Sequence, residues 1–579
     1  MKLKNKPLLT LLLVTLLGFV LRFTGLDQNP PSLNWDEASH GYNAYSILKT
    51  GKDEWGVSFP LIFRAFGDYK LPLYIYLTTI PVAFFGLNTI SVRLVSVLAG
   101  TLAIPGIYLL ARQLFPKAAL KFKLKKRSFS LSLPFLSAFF LSLLPWHLFI
   151  SRPALEANLG LTLFLFAVYF LLKSKDNPKH LLISSLLFSL TLHAYNTYRI
   201  LTPLFLLIYF LSKVKLSSTK HFLNKKQPRL FWLSLAVFLL SFSLVVSQTL
   251  TGTGTARYQK LAILNDQTVF QIGEARQNSS LPPLLARLRH NRPLFFIQQF
   301  SDNYLNYLSP QFLYQSDGAQ TQFAIPYKNL LTLNLTLLVI LGFFVSIKHI
   351  KDSSHRLLLL LLVLSPVAAA ITASPPQALR PTPLIIPLTL LAALGFFALV
   401  NLFSSRNWAK TAVALILIIS FMASSFSYLS DYWNSYRFEY SSSWQYGHQQ
   451  LFEYLEDNQD QYDRIFITKY HGEPHIFYSF FNQLDPRILQ PGGDSLRFKQ
   501  SDWFWTDRIG EVYFINDWDI PYFSPAPFLP LESGDLIPTA NALLITSVEH
   551  LPSNTEIIKL IEDLSGNIAF VVARFKQTE

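Results

Sequence analysis

Long apolar blocks separated by short basic clusters occupy most of the first 430 positions, and the pattern then gives way to shorter, mixed segments. The opening MKLKNKPLLTLLLVTLLGFVLRF joins a basic start to an apolar run that reaches Phe23. No small-x-small cleavage site follows, so a retained first helix is expected in place of a removed signal. Further apolar stretches near 90–115, 131–150, 159–172, 181–195, 199–212, 230–250, 329–347, 357–373, 384–403 and 411–428 predict helices. The result is an α-helical polytopic membrane protein with about eleven transmembrane helices over residues 1–428, given a hydrocarbon core of ~30 Å.

Topology follows from lysine and arginine. Lys2, Lys4 and Lys6 place the first end in the cytoplasm. If both 71–87 (LPLYIYLTTIPVAFFGL) and 90–115 crossed, the basic loop PKAALKFKLKKRS would lie outside. The segment 71–87, with two prolines, is therefore expected to be re-entrant or interfacial. The remaining spans then put Lys173/Lys175/Lys179, Lys213 to Arg229, Lys348/Lys351/Arg356 and Arg406/Lys410 inside. Residues 27–88 and 251–328 become long outer regions. The second of these holds TGTGTARY, a basic amphipathic piece (LLARLRHNRPLFFIQQF) and a tyrosine-rich piece (DNYLNYLSPQFLYQ), expected to rest on the bilayer.

From residue 429 to 579 the periodicity changes. A helix near 444–458 and strands near 464–468, 511–515, 542–547 and 568–574 predict an extracytoplasmic α/β domain. No internal repeat is evident, nor the paired interrupted helices of repeat-built transporters.

Composition sharpens this picture in two ways. The 579 residues are 51% hydrophobic with a mean hydropathy of +0.30, which sets soluble classes aside. The net charge of +15 is segregated: from Asp431 onward there are 10 Lys/Arg against 22 Asp/Glu, leaving 40 against 13 before it. The basic surplus thus reports membrane topology and excludes a nucleic-acid partner. With no cysteine, disulfide frameworks, thiolate metal sites and thiol nucleophiles are excluded.

Candidate chemistry concentrates between Leu33 and Tyr76. Asp36 and Glu37 are adjacent; Asp68, Tyr69 and Lys70 follow, then Tyr74. Ionisable groups at a membrane boundary are costly unless solvated or paired. On the predicted outer side, Arg152 sits near His147 and Glu156, Arg199 near His193 and Tyr195, and Arg380 between prolines. Guanidinium forks at that depth suit a phosphate. Each residue also has a plainer reading. Asp36 and Glu37 could open a helix at its positive end, Lys70 could be an interfacial anchor, and Arg152 with Glu156 has i, i+4 spacing. The histidines lack tight metal-ligand spacing. Together the residue types fit sugar transfer from a lipid phosphate: cations to hold the departing phosphate and a carboxylate to take the acceptor's proton. The absence of P-loop or Rossmann glycine patterns argues against a nucleotide-bound donor.

NWDEASHGYNAYSILKTG, then GDYKLPLYIYL, then SVRLVSVLAG with Arg93, resemble the polyprenyl-phosphate-sugar-dependent glycosyltransferases of the C-type membrane (GT-C) fold. The group in question is family 39, which includes protein O-mannosyltransferases and the lipid A aminoarabinose transferase. The resemblance covers roughly residues 8–430, with Asp36, Glu37, Lys70, Pro72, Tyr74 and Arg93 as its specific part. It implies Asp36 as catalytic base with Glu37 beside it, Lys70 on the lipid phosphate, and Arg380 as an assisting cation. It also implies an inverting transfer for which no cofactor is required, a divalent cation being compatible. Lys-Leu-Pro stands where Lys-Pro-Pro is usual, and the WWDxG motif of oligosaccharyltransferases is missing.

The expected function is transfer of a sugar from a polyprenyl-phosphate donor to a hydroxyl of a protein, lipid or envelope glycan, on the outer face of the cytoplasmic membrane. Arg152, Arg199 and Arg380 with Lys70 are the expected phosphate ligands. Asp68, Tyr69, Tyr74, His147, Glu156, His193 and Tyr195 are the expected pocket. A flippase for a charged lipid, or a scaffold with an outer binding domain, are the alternatives.

Overall fold

The computed structural model describes residues 6–124, 127–215, 228–251, 261–315, 320–373, 376–521 and 524–576. Among them, six helices are long and apolar enough to cross a membrane: Thr89–Leu114, Glu156–Lys173, Arg229–Leu250, Ser353–Ala370, Thr382–Leu402 and Asn407–Glu439. Four shorter apolar helices, Pro7–Phe23, Pro72–Phe85, Leu133–Leu143 and Leu333–Lys348, add to these. The tally of about eleven spans is therefore not matched helix for helix. The expected span 131–150 is broken, because Leu133–Leu143 stops and Pro145 starts a second short helix, Pro145–Ile150. Proline lacks the N–H that would continue the ladder and suits a first helical turn. The basic loop before it is an antiparallel ribbon, Ala119–Leu124 paired with Arg127–Ser132.

The chain divides into two compact units, Met1–Thr24 with Ser96–Ser430, and Gly25–Val95 with Asp431–Glu579. Residues 25–95 thus group with the C-terminal part, whereas a division at 428/429 was expected.

In the first unit, helices Leu333–Lys348 and Ile385–Leu402 pack backbone to backbone. A Cβ on Gly342 would lie 1.9 Å from the Leu391 carbonyl oxygen, and one on Gly395 would lie 1.9 Å from that of Leu338. Small residues at such a crossing let dispersion contacts do the work that water-exclusion cannot do in lipid. The region 251–328 forms helices Asp266–Gln277, Pro283–Arg289, Arg292–Tyr307 and Pro310–Gln315. Leu284, Leu288, Leu294, Ile297 and Leu305 are exposed on them. Most of TGTGTARY and of the run from Lys213 to Arg229 lies outside the described residues.

The second unit is built on a seven-stranded sheet. Its order is Thr555–Glu562, Ile568–Phe575, Ala542–Thr546, Arg464–Thr468, Val512–Ile515, Trp503–Ile509, Ser495–Gln500. The three central strands are parallel and the outer ones antiparallel. Parallel strands are covered on both faces and so read as continuous apolar runs, which is why RIFIT, VYFI and ALLIT were legible. Strands 495–500 and 555–562, half-exposed or exposed, carry no such run and were not expected. Helices Trp35–Thr50 and Pro72–Phe85 belong to this unit. At 14 residues the second is ~21 Å long, against a ~30 Å core.

Two predictions follow from this packing. Gly395→Leu should force the helix pair apart, costing about 1–3 kcal/mol and lowering the thermal midpoint of the detergent-purified protein. His448, which opens helix His448–Asn458, stacks on Phe477 at 4.1 Å and is fully buried; burial pushes its imidazole from 6.5 down to about 3. Between those values the unfolded chain binds the extra proton, so stability should fall as pH drops below 6.5 towards 3. Tryptophan-fluorescence unfolding across that range should show the loss, and His448→Phe should flatten it.

Candidate active site

The sequence NWDEAS caps its own helix. The Glu37 N–H donates to Asn34 Oδ1 at 2.9 Å, and Glu37 Oε2 accepts the Asn34 N–H at 3.3 Å, which forms a capping box. Asp36 and Glu37 therefore stand in the first turn, where carboxylates meet the positive end of the helix. Their fates differ. Glu37 is buried, and its carboxylate receives Arg93 Nε and Nη2, each at 2.9 Å. Arg93, fully buried, also donates to the carbonyl oxygens of Leu26, Pro30 and Ser32. This is a fork-to-carboxylate pair that clamps the loop preceding the helix.

Asp36 faces the other way. Lys70 Nζ lies 2.5 Å from its Oδ1, across 34 residues of sequence. The Lys70 side chain is 7% exposed and that of Asp36 is 43% exposed, so a buried ammonium ends on a carboxylate that water reaches. A hairpin delivers the lysine: Phe63–Ala65 pairs with Asp68–Lys70, placing Phe63 opposite Lys70. Asp68 Oδ1 accepts the Tyr69 N–H, and Tyr69 meets Phe504 edge-on at 5.9 Å. Tyr74, expected to line a pocket, is wholly buried; its hydroxyl donates to the Val92 carbonyl at 2.9 Å and its ring packs on His40.

In the first unit, the arginines expected on the outer side separate into two kinds. Arg152 is buried and donates to the carbonyls of Leu21, Arg22 and Thr24, closing the end of helix Lys6–Phe23. Helix Glu156–Lys173 starts after Arg152, so the spacing to Glu156 is not that of a helical pair. His147 is buried with Nδ1 2.8 Å from Arg22 Nη2, and His193 Nε2 is 3.0 Å from Ser241 Oγ. Arg199 and Arg380, with Tyr195, instead line a cavity of about 490 Å³ walled by Phe242, Val245, Leu250 and Ile371. Arg199 donates to the Leu192 carbonyl and to Gln248. Arg380 Nη1 donates to Thr372 Oγ1 at 2.6 Å, and the Gln377 amide oxygen, once assigned toward the guanidinium, accepts from its Nε and Nη2. No group of three or more His, Asp or Glu placed to hold a metal occurs among the described residues.

Sequence reasoning missed the roles of Trp35, Gln445 and Gly472, which meet at the head of the Asp36 helix. The Trp35 N–H donates to Gln445 Oε1 at 2.8 Å. Only the glycine in HGEP, outside any turn motif, was a hint.

Neither a family model nor a curated protein matches the sequence. Among solved structures, the apo oligosaccharyltransferase of Archaeoglobus fulgidus is similar with a TM-score of 0.50 at 13% identity, over 83% of this chain and 64% of its own. The oligosaccharyltransferase AglB of that organism, in complex with an inhibitory peptide and a dolichol-phosphate, gives 0.51 at 12%, over 85% and 65%. The chain thus spans just under two thirds of those archaeal proteins. ArnT from Cupriavidus metallidurans bound to undecaprenyl phosphate gives 0.51 at 12% identity, over 98% of both chains. Likeness at this identity speaks to architecture: the chain is a multi-pass membrane protein with the C-type glycosyltransferase fold.

Proposed function

We propose that this protein is a membrane glycosyltransferase that moves a sugar from a polyprenyl-phosphate donor to a hydroxyl acceptor. The observation that carries the reading is the Asp36–Lys70 pair, in which a sequestered cation ends on an accessible carboxylate. A lipid phosphate entering beside it exchanges partners with the lysine: the ammonium moves to the phosphate and the Asp36 oxygen is released to the acceptor. Asp36 then takes the hydroxyl proton as the acceptor oxygen attacks the anomeric carbon. The bond from that carbon to the phosphate oxygen breaks, its electron pair stays on the phosphate, and Lys70 neutralises the new charge. One displacement inverts the anomeric configuration. Glu37, held by both nitrogens of the Arg93 fork, is a structural carboxylate in this reading and not a second base.

The cavity lined by Arg199 and Arg380 supports a lipid ligand on independent grounds. Its wall is apolar and its two charges are both positive, which suits an acidic lipid headgroup with a hydrocarbon tail. Solved proteins of this fold are in complex with dolichol-phosphate or bound to undecaprenyl phosphate, in keeping with that chemistry. The reaction is assigned to the outer face of the cytoplasmic membrane because the basic clusters between spans mark the opposite side. Protein, lipid and envelope glycan are the acceptor classes.

Transfer from a radiolabelled polyprenyl-phosphate sugar by purified protein tests the reading. Asp36→Asn should lower kcat by 10²-fold or more with an unchanged thermal midpoint, in line with loss of a general base. Lys70→Ala should raise the apparent donor KM. Glu37→Gln and Arg93→Ala should do the opposite kind of damage, costing about 3–5 kcal/mol of stability by leaving a buried charge unpaired. A flippase would keep lipid translocation in Asp36→Asn and show no sugar release, and a scaffold would be indifferent to Asp36 and Lys70.

A further inference from the structure

We propose that Gln445, Gly472 and His475, in the C-terminal part of the chain, are positioning residues that set the Asp36–Lys70 geometry by gripping Trp35 and Phe66, whose rings touch. The inference rests on the reading that Asp36 and Lys70 carry the reaction, and it assigns the C-terminal domain a part in it.

Trp35 is the first residue of the helix and the covalent neighbour of Asp36. Its N–H is one of the donors that a helix start leaves without an internal partner. That donor is taken by Gln445 Oε1 at 2.8 Å, across 410 residues of sequence. Gln445 itself holds a left-handed backbone, φ 56°, which a non-glycine residue adopts only when its surroundings compel it. Its amide nitrogen donates to the His471 carbonyl. Next in the chain, Gly472 has φ +105°, and a Cβ there would lie 2.3 Å from the Trp35 ring. The indole thus lies against bare backbone, and no other residue type leaves room for it.

Phe66 is the counterpart on the lysine side. It turns the hairpin that carries Lys70, again with a left-handed backbone, φ 56°. Its carbonyl accepts the Phe504 N–H at 2.9 Å, and its ring meets His475 edge-on at 5.9 Å. His475 is held in turn by Glu473, 3.3 Å from its Nδ1. The Trp35 and Phe66 rings contact each other at 5.8 Å. The carboxylate and the ammonium are therefore each fixed, within one and four residues, by the segment 445–504, and the two fixings touch. Both lie within one compact unit.

The two sides make separable predictions. Gly472→Ala should push on Trp35 and shift Asp36, lowering kcat about tenfold or more with donor KM nearly unchanged, since small misplacements of a reacting group cost rate steeply. His475→Ala should loosen Phe66 and so Lys70, raising donor KM, while His475→Phe, which keeps a ring, should restore it. Gly492→Ala is the control: it has the same kind of backbone, φ +91°, and nothing within 4 Å of the added carbon. Amine acetylation of full-length protein, followed by mass spectrometry, gives a readout that needs no substrate. Lys70, buried and paired in the wild type, should label several-fold faster in Gly472→Ala and His475→Ala, other lysines and Gly492→Ala being unchanged. Unaltered Lys70 labelling in both variants, or equal effects from Gly492→Ala, overturns the positioning inference. Labelling that changes as expected in a protein that transfers no sugar from a polyprenyl-phosphate donor overturns the functional reading alone.

Discussion

The Arg93–Glu37 fork is the interaction on which the rest of the motif depends. A guanidinium with no exposure and a carboxylate with almost none are stable together only because every strong donor has an acceptor: two carboxylate oxygens and three backbone carbonyls. Those carbonyls belong to residues 26–32, so one side chain fixes the approach to the helix and its first turn at once. With Glu37 turned inward and pinned, the geometry of a helix turn sends Asp36 in another direction, towards water and Lys70. Adjacent carboxylates that look equivalent in sequence are thereby given separate duties.

Much of this was legible from residue types, and the limits are physical ones. Asp36, Glu37 and Lys70 stood out as charges at the edge of an apolar chain, Arg93 entered only through the family resemblance, and the structure joins the four into two ion pairs within one unit. Which carboxylate takes which cation is a matter of helix phase, and sequence spacing does not carry it. The outer arginines were read as one group because they share a predicted depth. Arg199 and Arg380 do share a cavity, whereas Arg152 donates to the last carbonyls of the first helix, a role that depends on a contact over more than a hundred residues. Tyr74 was placed in a pocket by its motif and is found in the core, since a tyrosine satisfied by one backbone carbonyl packs as well as a phenylalanine.

In the C-terminal domain the buried parallel strands announced themselves, being apolar on both faces. The half-exposed edge strands did not, and neither did the two loops that hold Gln445 and Gly472. Their importance lies in conformation, two left-handed backbones around one indole, and a composition-based reading sees only Gln, Gly and His.

The crossing of Gly342 and Gly395 bears on where the first unit is stiff. Where two backbones touch without side chains between them there is no rotamer to swing aside, so helices 333–348 and 385–402 form a single stiff spine. The helix Arg229–Leu250 is by contrast only 11% buried along its apolar window, and it lines the cavity through Phe242, Val245, Val246 and Thr249. The cavity thus keeps one largely exposed wall, while the backbone-to-backbone pair lies in helices that do not line it.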